Sequence, residues 1–292
     1  MIKVAVVAHS RKTLGGGLDE LRRVISGHPV SELLWYEVPK SRKARKVARR
    51  AVKDGAELLF VWGGDGMVQR CVDAVAGMGV PIAVLPAGTA NLLAANLGIP
   101  EDLREAVRLG FEGRRRPLDL GVINGEHFAV MAGAGFDAMM IRDADRGMKA
   151  RLGRAAYVWT GLRSVKASQA TATIRIDGVE WFTGLTSCVL VGNVGTVTGG
   201  VRAFRSAEPD DGWLEVGVVT AKGALQWGRT FGRAVVGTVE KSPFVRTTRA
   251  RSVDVRFDHP VPYELDGGDR DPVTHLEITV EPGAIEICVP PA

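Results

Sequence analysis

The chain has 292 residues, 46% hydrophobic and 24% charged, the balance of a folded chain with a sizeable core and not of a disordered, collagenous or low-complexity one. No run of about 18 apolar residues occurs, which excludes a membrane-spanning helix, and three isolated cysteines (Cys71, Cys188, Cys288) without metal-ligand spacing point to a reduced, cytoplasmic setting. The net charge of +5 is local: Lys40 to Arg50 holds seven basic residues and no acidic one, and without that window 31 basic residues face 33 acidic ones.

The opening run Ile2 to Ala8 reads as a buried parallel strand and is too brief for a secretory signal. A helical pattern follows from Leu18 to Ile25, then a strand over Leu33 to Val38 and a basic helix reaching Lys53. In that helix Ala44, Val47, Ala48 and Ala51 would face the core, leaving the charges as a solvated face. Glu57 to Trp62 is a third strand running into Gly63-Gly64-Asp65-Gly66, and Pro81 to Pro86 a fourth running into Ala87-Gly88-Thr89-Ala90-Asn91. Strands alternating with helices imply a parallel sheet, whose ligands sit beyond the carboxyl ends of its strands.

After about residue 118 the rhythm changes to strand-like runs separated by turns such as Asn124-Gly125 and Asp177-Gly178. Helical stretches over Ala138 to Ser168 and Lys222 to Val239 interrupt them. The expected organisation is α/β plus β: a nucleotide-binding domain over 1–122 and a mostly antiparallel β domain over 123–292, its last segment packing back on the first.

Glycines let the chain turn sharply and let backbone N–H groups approach an anion, to which a following helix adds its positive end. Each glycine loop alone could equally be an ordinary tight turn, with Thr89 or Asn91 as a helix cap. Two such loops on successive parallel strands converge on one crevice. Known nucleotide patterns do not fit: Gly15-Gly16-Gly17 lacks the dinucleotide spacing, and no G-K-[ST] or G-x-S-x-G occurs. The five histidines form no metal spacing and read as structural.

These residues together resemble the diacylglycerol kinase catalytic-domain family, in its bacterial soluble lipid kinase branch. Gly63 to Gly66 is similar to that family's nucleotide loop, and Pro86 to Pro100 (PAGTANLLAANLGIP) to its second signature. Leu118 to Ala138 resembles the stretch joining its domains, Ala207 to Val219 its acidic loop, and Glu264 to Arg270 its late D-G-E region. The resemblance implies a Rossmann-like lobe, a C-terminal β-sandwich, ATP in the crevice between them, and phosphoryl transfer from Mg-ATP to a diacylglycerol-like hydroxyl.

By motif position, Lys12, Gly63, Gly64, Asp65, Gly66, Met67, Gln69, Gly88, Thr89 and Asn91 would hold the nucleotide. Asp65 and Asp119 would organise metal and substrate, and Glu208, Asp211 and the Trp213 carbonyl would form a structural Mg²⁺ site. The chain departs from the family at Met67, at Gln69-Arg70, at Leu92 and at Gly268, where the family glutamate is replaced. Asp269, then Asp266, are the candidates for the base that takes the hydroxyl proton. A lipid-binding or nucleotide-binding protein without activity is the alternative that Gly268 favours. An NAD kinase shares the GGDG loop but would carry a different second signature. The expected partners are a lipid substrate and an anionic membrane met peripherally at its inner face, through Lys40 to Arg50 and the mixed segment Met139 to Lys166. Nucleic acid is not among them, and a homodimer stays open.

Overall fold

The computed structural model describes residues 1–135, 169–197, 201–235 and 237–291. The helical stretch expected over Ala138 to Ser168, and with it the segment Met139 to Lys166, lies outside the described residues. The chain forms two compact units, Met1–Leu120 with Pro282–Ala292, and Gly121–Glu281.

The first unit contains β1 (Ile2–His9), α1 (Gly17–Ser26), β2 (Val30–Val38), α2 (Ala44–Lys53), β3 (Leu58–Gly63), α3 (Asp65–Val75), β4 (Ile82–Pro86), α4 (Leu92–Asn96) and α5 (Leu103–Glu112). Its strands lie parallel in the order β4-β3-β1-β2. The continuous apolar runs of β1 and β3 follow from burial on both faces. Val4, Val6, Phe60, Trp62 and Leu85 pack against Leu21 and Ile25 of α1 and Leu103 and Val107 of α5. Each large apolar side chain buried in this way contributes about 1.5–3 kcal/mol. Helices α2 and α3 lie side by side: Arg45 pairs with Asp73 at 3.2 Å, and Arg49 donates to the Ala74 carbonyl at 3.1 Å. His9 pairs with Val38 and Gly63 with Pro86, so the strands end level and their following loops share one edge.

The second unit continues from β5 (Arg114–Ile123) through β6 (Glu126–Phe128), β7 (Met131–Gly135), β8 (Ala170–Ile176), β9 (Val179–Thr186), β10 (Cys188–Gly192), β11 (Thr196–Val197), β12 (Val201–Arg202), β13 (Leu214–Val219), α6 (Gly223–Val235), β14 (Val245–Ala250) and β15 (Ser252–Leu265) to β16 (Gly268–Val289). Antiparallel pairing runs β14-β13-β10-β7-β15-β16, with β8 and β9 continuing from β15. Three hairpins turn on an Asx-Gly pair with both residues left-handed: Asn124-Gly125, Asp177-Gly178 and Asp266-Gly267. This is the two-residue turn whose twist matches that of the strands. Phe128, Ile174, Val216, Val255, Tyr263 and Leu265 are among the core side chains of this unit. The helix expected to Val239 stops at Val235, and a short 3-10 turn follows at Val239–Lys241.

The end of β16, the last segment of the expected 123–292 domain, belongs to the first unit. Ile287 runs parallel beside Ile82 of β4, and Ile285, Ile287 and Val289 are buried. Asp119 accepts the Gly283 N–H at 2.8 Å, and the Arg115 guanidinium reaches Cys288 Sγ at 2.5 Å. Among the described residues no helix is long and apolar enough to cross a membrane.

Candidate active site

At the carboxyl edge of the parallel sheet the two glycine loops meet backbone to backbone. A Cβ on Gly88 would lie 2.4 Å from the Gly64 Cα and 2.5 Å from Asn91 Oδ1, so only glycine permits this approach. The Ala87 N–H bonds the Gly63 carbonyl at 3.0 Å. Asn91, at φ 46°, pins its own loop: Oδ1 accepts from Gly88 N–H at 2.8 Å, and Nδ2 donates to the Pro86 and Gly88 carbonyls, both at 3.2 Å. Helix α3 opens at Asp65 without a side-chain cap on Gly64, which presents its positive end beside the paired loops.

Asp65 ties the loops together. Its Oδ1 accepts the Leu92 N–H at 2.5 Å. Burial pushes its pKa above the usual carboxylate range, against the pull of backbone N–H groups at Leu92 and Leu93. Of the other expected nucleotide contacts, Thr89 and Lys12 are exposed at this edge. The Lys12 carbonyl accepts from Trp62 Nε1 at 3.1 Å, which anchors the loop after β1 to β3. The side chains of Met67 and Gln69 point into the unit, 1% and 2% exposed, so any contact from these positions falls to their backbone. His9, read from the sequence as structural, sits at this edge, and the Arg11 N–H donates to its Nδ1 at 3.2 Å. Partial burial and the charges of Lys12 and Arg11 lower its pKa.

The remaining acids divide by burial. Asp119 holds Gly283 and is 3% exposed. Asp266 accepts three backbone N–H groups, from Ala129, Val130 and Met131, at 2.8, 2.9 and 2.9 Å. Its carboxylate is built into the β7 turn, in contrast to the catalytic role considered for it. Asp269, opposite Glu264 in the same hairpin, is exposed. Arg270 clamps this hairpin: it pairs with Glu126 at 3.0 and 2.7 Å and donates to the Gly268 and Asp269 carbonyls, both at 3.0 Å. Nothing in the sequence pointed to Arg270 and Glu126, which lie 144 positions apart.

The acidic loop does not fit a magnesium ion as arranged. Asp211 accepts the Trp213 N–H at 3.0 Å and pairs through its other oxygen with Arg249, which also approaches Glu215 at 3.5 Å. Arg249 and Arg251 lie over the Trp213 ring, 5.6 and 4.5 Å from its centroid. A guanidinium thus occupies the carboxylate that an ion would need, while Glu208 is exposed. Among the described residues no group of three or more His, Cys, Asp or Glu is placed to hold a metal ion.

Comparison with known proteins places this edge in context. Residues 5–123 match the diacylglycerol kinase catalytic domain, and residues 130–289 the YegS C-terminal NAD kinase beta sandwich-like domain. A Pseudomonas aeruginosa protein named "Probable lipid kinase YegS-like" is 30% identical over 99% of this chain and 94% of its own length. One of the same name from Cronobacter sakazakii is 29% identical, covering 91% and 88%. In structure, a diacylglycerol kinase from Bacillus anthracis superposes with a TM-score of 0.75 at 20% identity, over 99% of this chain and 97% of that one. An NAD kinase from Archaeoglobus fulgidus, solved with ATP, gives 0.53 at 14% identity over 98% and 93%. The structural likenesses show a shared fold: an α/β lobe followed by a β-sandwich domain.

Proposed function

Because this chain belongs to the diacylglycerol kinase catalytic-domain family and is a lipid kinase, we propose that it transfers the γ-phosphate of Mg-ATP to the hydroxyl of a diacylglycerol-like lipid. The observation that carries this reading is the backbone contact of Gly64 with Gly88 at the start of α3. Such a cradle can bring several N–H groups onto one phosphate chain without a side chain intervening.

In this mechanism Gly63 to Gly66 and Gly88 to Thr89 hold the phosphates, and Lys12 and Arg11 add positive charge at the same edge. Asp65 positions the second loop through its bond to the Leu92 N–H. Magnesium bound to the nucleotide would supply neutralisation of the phosphate charge. Asp269 takes the hydroxyl proton as the lipid oxygen bonds to the γ-phosphorus and the bond to the leaving ADP oxygen breaks. What supports Asp269 is its exposed carboxylate one residue after Gly268, beside an Asp266 already committed to three N–H groups.

The test is incubation of the protein with labelled ATP and a total lipid extract, the new product being identified by mass. A phosphorylated lipid is expected with wild-type protein and none with Asp269→Asn, while Asp269→Asn still binds ATP. Full turnover in Asp269→Asn would remove it as the base. The second reading, a binding protein without transfer, draws on Gly268, where a side chain able to accept a proton is missing. ATP binding with no product from any lipid would establish it. NAD offered as acceptor is expected to stay unphosphorylated.

A further inference from the structure

We infer that the cationic face of α2 and of the turn before it is a docking surface for an anionic lipid bilayer, an inference that rests on the lipid kinase reading for its choice of partner. The two units differ sharply in charge. Residues 1–120 with 282–292 carry 19 basic and 14 acidic residues, a net +5, whereas residues 121–281 carry 19 of each. The whole excess therefore belongs to the first unit, and Lys40 to Arg50 supplies seven of its cations without one acid.

The helix separates these charges from its core face. Ala44, Ala48 and Ala51 are fully buried, and Arg42, Lys43, Lys46, Arg49, Arg50 and Lys53 are exposed. Three arginines have partners: Arg45 with Asp73, Arg49 with the Ala74 carbonyl, and Arg50 with Asp54. The side chains of Lys40, Arg42, Lys43, Lys46 and Lys53 are exposed and make no hydrogen bond or ion pair among the described residues. The first turn of α2 holds cations and no acid, opposite to what the helix dipole favours. Helix stability does not account for that choice, and a negative surface would offset it.

Position supplies the link to function. Lys40, Arg42 and Lys43 follow the carboxyl end of β2, where Val38 pairs with His9. They share the sheet edge with Arg11, Lys12 and the two glycine loops. A bilayer drawn to this face lies at the edge where phosphates would be held, which is where a lipid hydroxyl has to arrive. The exposed face carries no aromatic side chain on which a base could stack and no large apolar one to insert into lipid, so the attraction is electrostatic and sensitive to salt.

The experiment uses the full chain and a variant combining Lys40→Gln, Arg42→Gln, Lys43→Gln, Lys46→Gln and Lys53→Gln, its folding checked by circular dichroism. A control variant neutralises Arg175, Lys241 and Arg246, which are exposed cations of the second unit. Sedimentation is measured with vesicles of equal phosphatidylglycerol and phosphatidylcholine, and with phosphatidylcholine alone. The wild type and the control are expected to sediment with the anionic vesicles only, and to be released by 0.5 M salt. The five-site variant should bind at least about 100-fold more weakly, given roughly five-fold per cation near a charged membrane.

Equal binding to both vesicles, unchanged binding by the five-site variant, or tighter binding to a 20-base-pair duplex DNA than to anionic vesicles would overturn the proposal. In a parallel arm, diacylglycerol is offered with ATP in anionic vesicles and in neutral detergent micelles. The variant should lose its rate in vesicles and keep it in micelles. Vesicle binding without product in either arm would end the diacylglycerol reading and leave the docking surface standing.

Discussion

Three carboxylates, Asp65, Asp119 and Asp266, meet backbone N–H groups that lie far along the chain, at Leu92, at Gly283 and at Ala129 to Met131. Asp65→Ala removes the acceptor that couples the glycine loops, and is expected to cost about 1–2 kcal/mol and to raise the KM for ATP. Asp65→Asn keeps an acceptor and should retain most of the turnover. The pH response separates the two states of this carboxyl. Its pKa is raised by burial, so the folded chain binds the proton more tightly than the unfolded one. The stability it contributes is full below the ordinary carboxylate value of about 3.9 and is lost as pH rises through the raised value. Melting temperatures of Asp65→Asn should therefore gain on wild type between pH 4 and 7. Asp266→Ala strands three buried N–H groups and is expected to lose about 3 kcal/mol or more, a fall in Tm of roughly 6–12 °C by thermal scan. At this scale the Asx-Gly turns and glycine loops are legible in sequence, because positive φ and close approach restrict which residues serve. The roles of the acids are not, since an N–H partner at Leu92 or Gly283 leaves no mark on the composition around Asp65 or Asp119.

Among elements, the paired loops leave no room for added volume at Gly88. Gly88→Ala would force the loops apart against both Gly64 and Asn91. It is expected to cost about 1–3 kcal/mol and to abolish ATP binding, as measured by calorimetry, with the fold retained. The β13–β14 pair makes a second prediction. Glu215 stands directly opposite Arg249, and burial raises its pKa. Arg249 already neutralises Glu215 and Asp211, so the Tm of the wild type should not respond to millimolar Mg²⁺ or to a chelator. Arg249→Ala should lose about 1–2 kcal/mol and recover part of it on adding Mg²⁺, a comparison made in one thermal-shift series. The βα alternation is legible because β1 and β3, buried on both faces, read as unbroken apolar runs. The return of the last segment to the first unit is legible too, but its parallel pairing with β4 is not, because alternation identifies a strand without naming its neighbour.

On the scale of the molecule, the first unit is closed by a strand that arrives after the whole second unit. Deleting residues 282–292 removes the buried Ile285, Ile287 and Val289, the partner of Asp119 and the neighbour of β4. A chain truncated after Glu281 is expected to lose the cooperative melting of its first unit, seen as early proteolysis of 1–120 with 121–281 still protected. The same return path bears on how the protein is made. During synthesis residues 1–120 leave the ribosome long before residues 282–289, so the edge of β4 beside Ile82 stays open while the entire second unit is translated. An unpaired edge held open for that long can template pairing with another nascent chain. Vectorial maturation is thereby reversed, the domain that emerges first being the last to be completed.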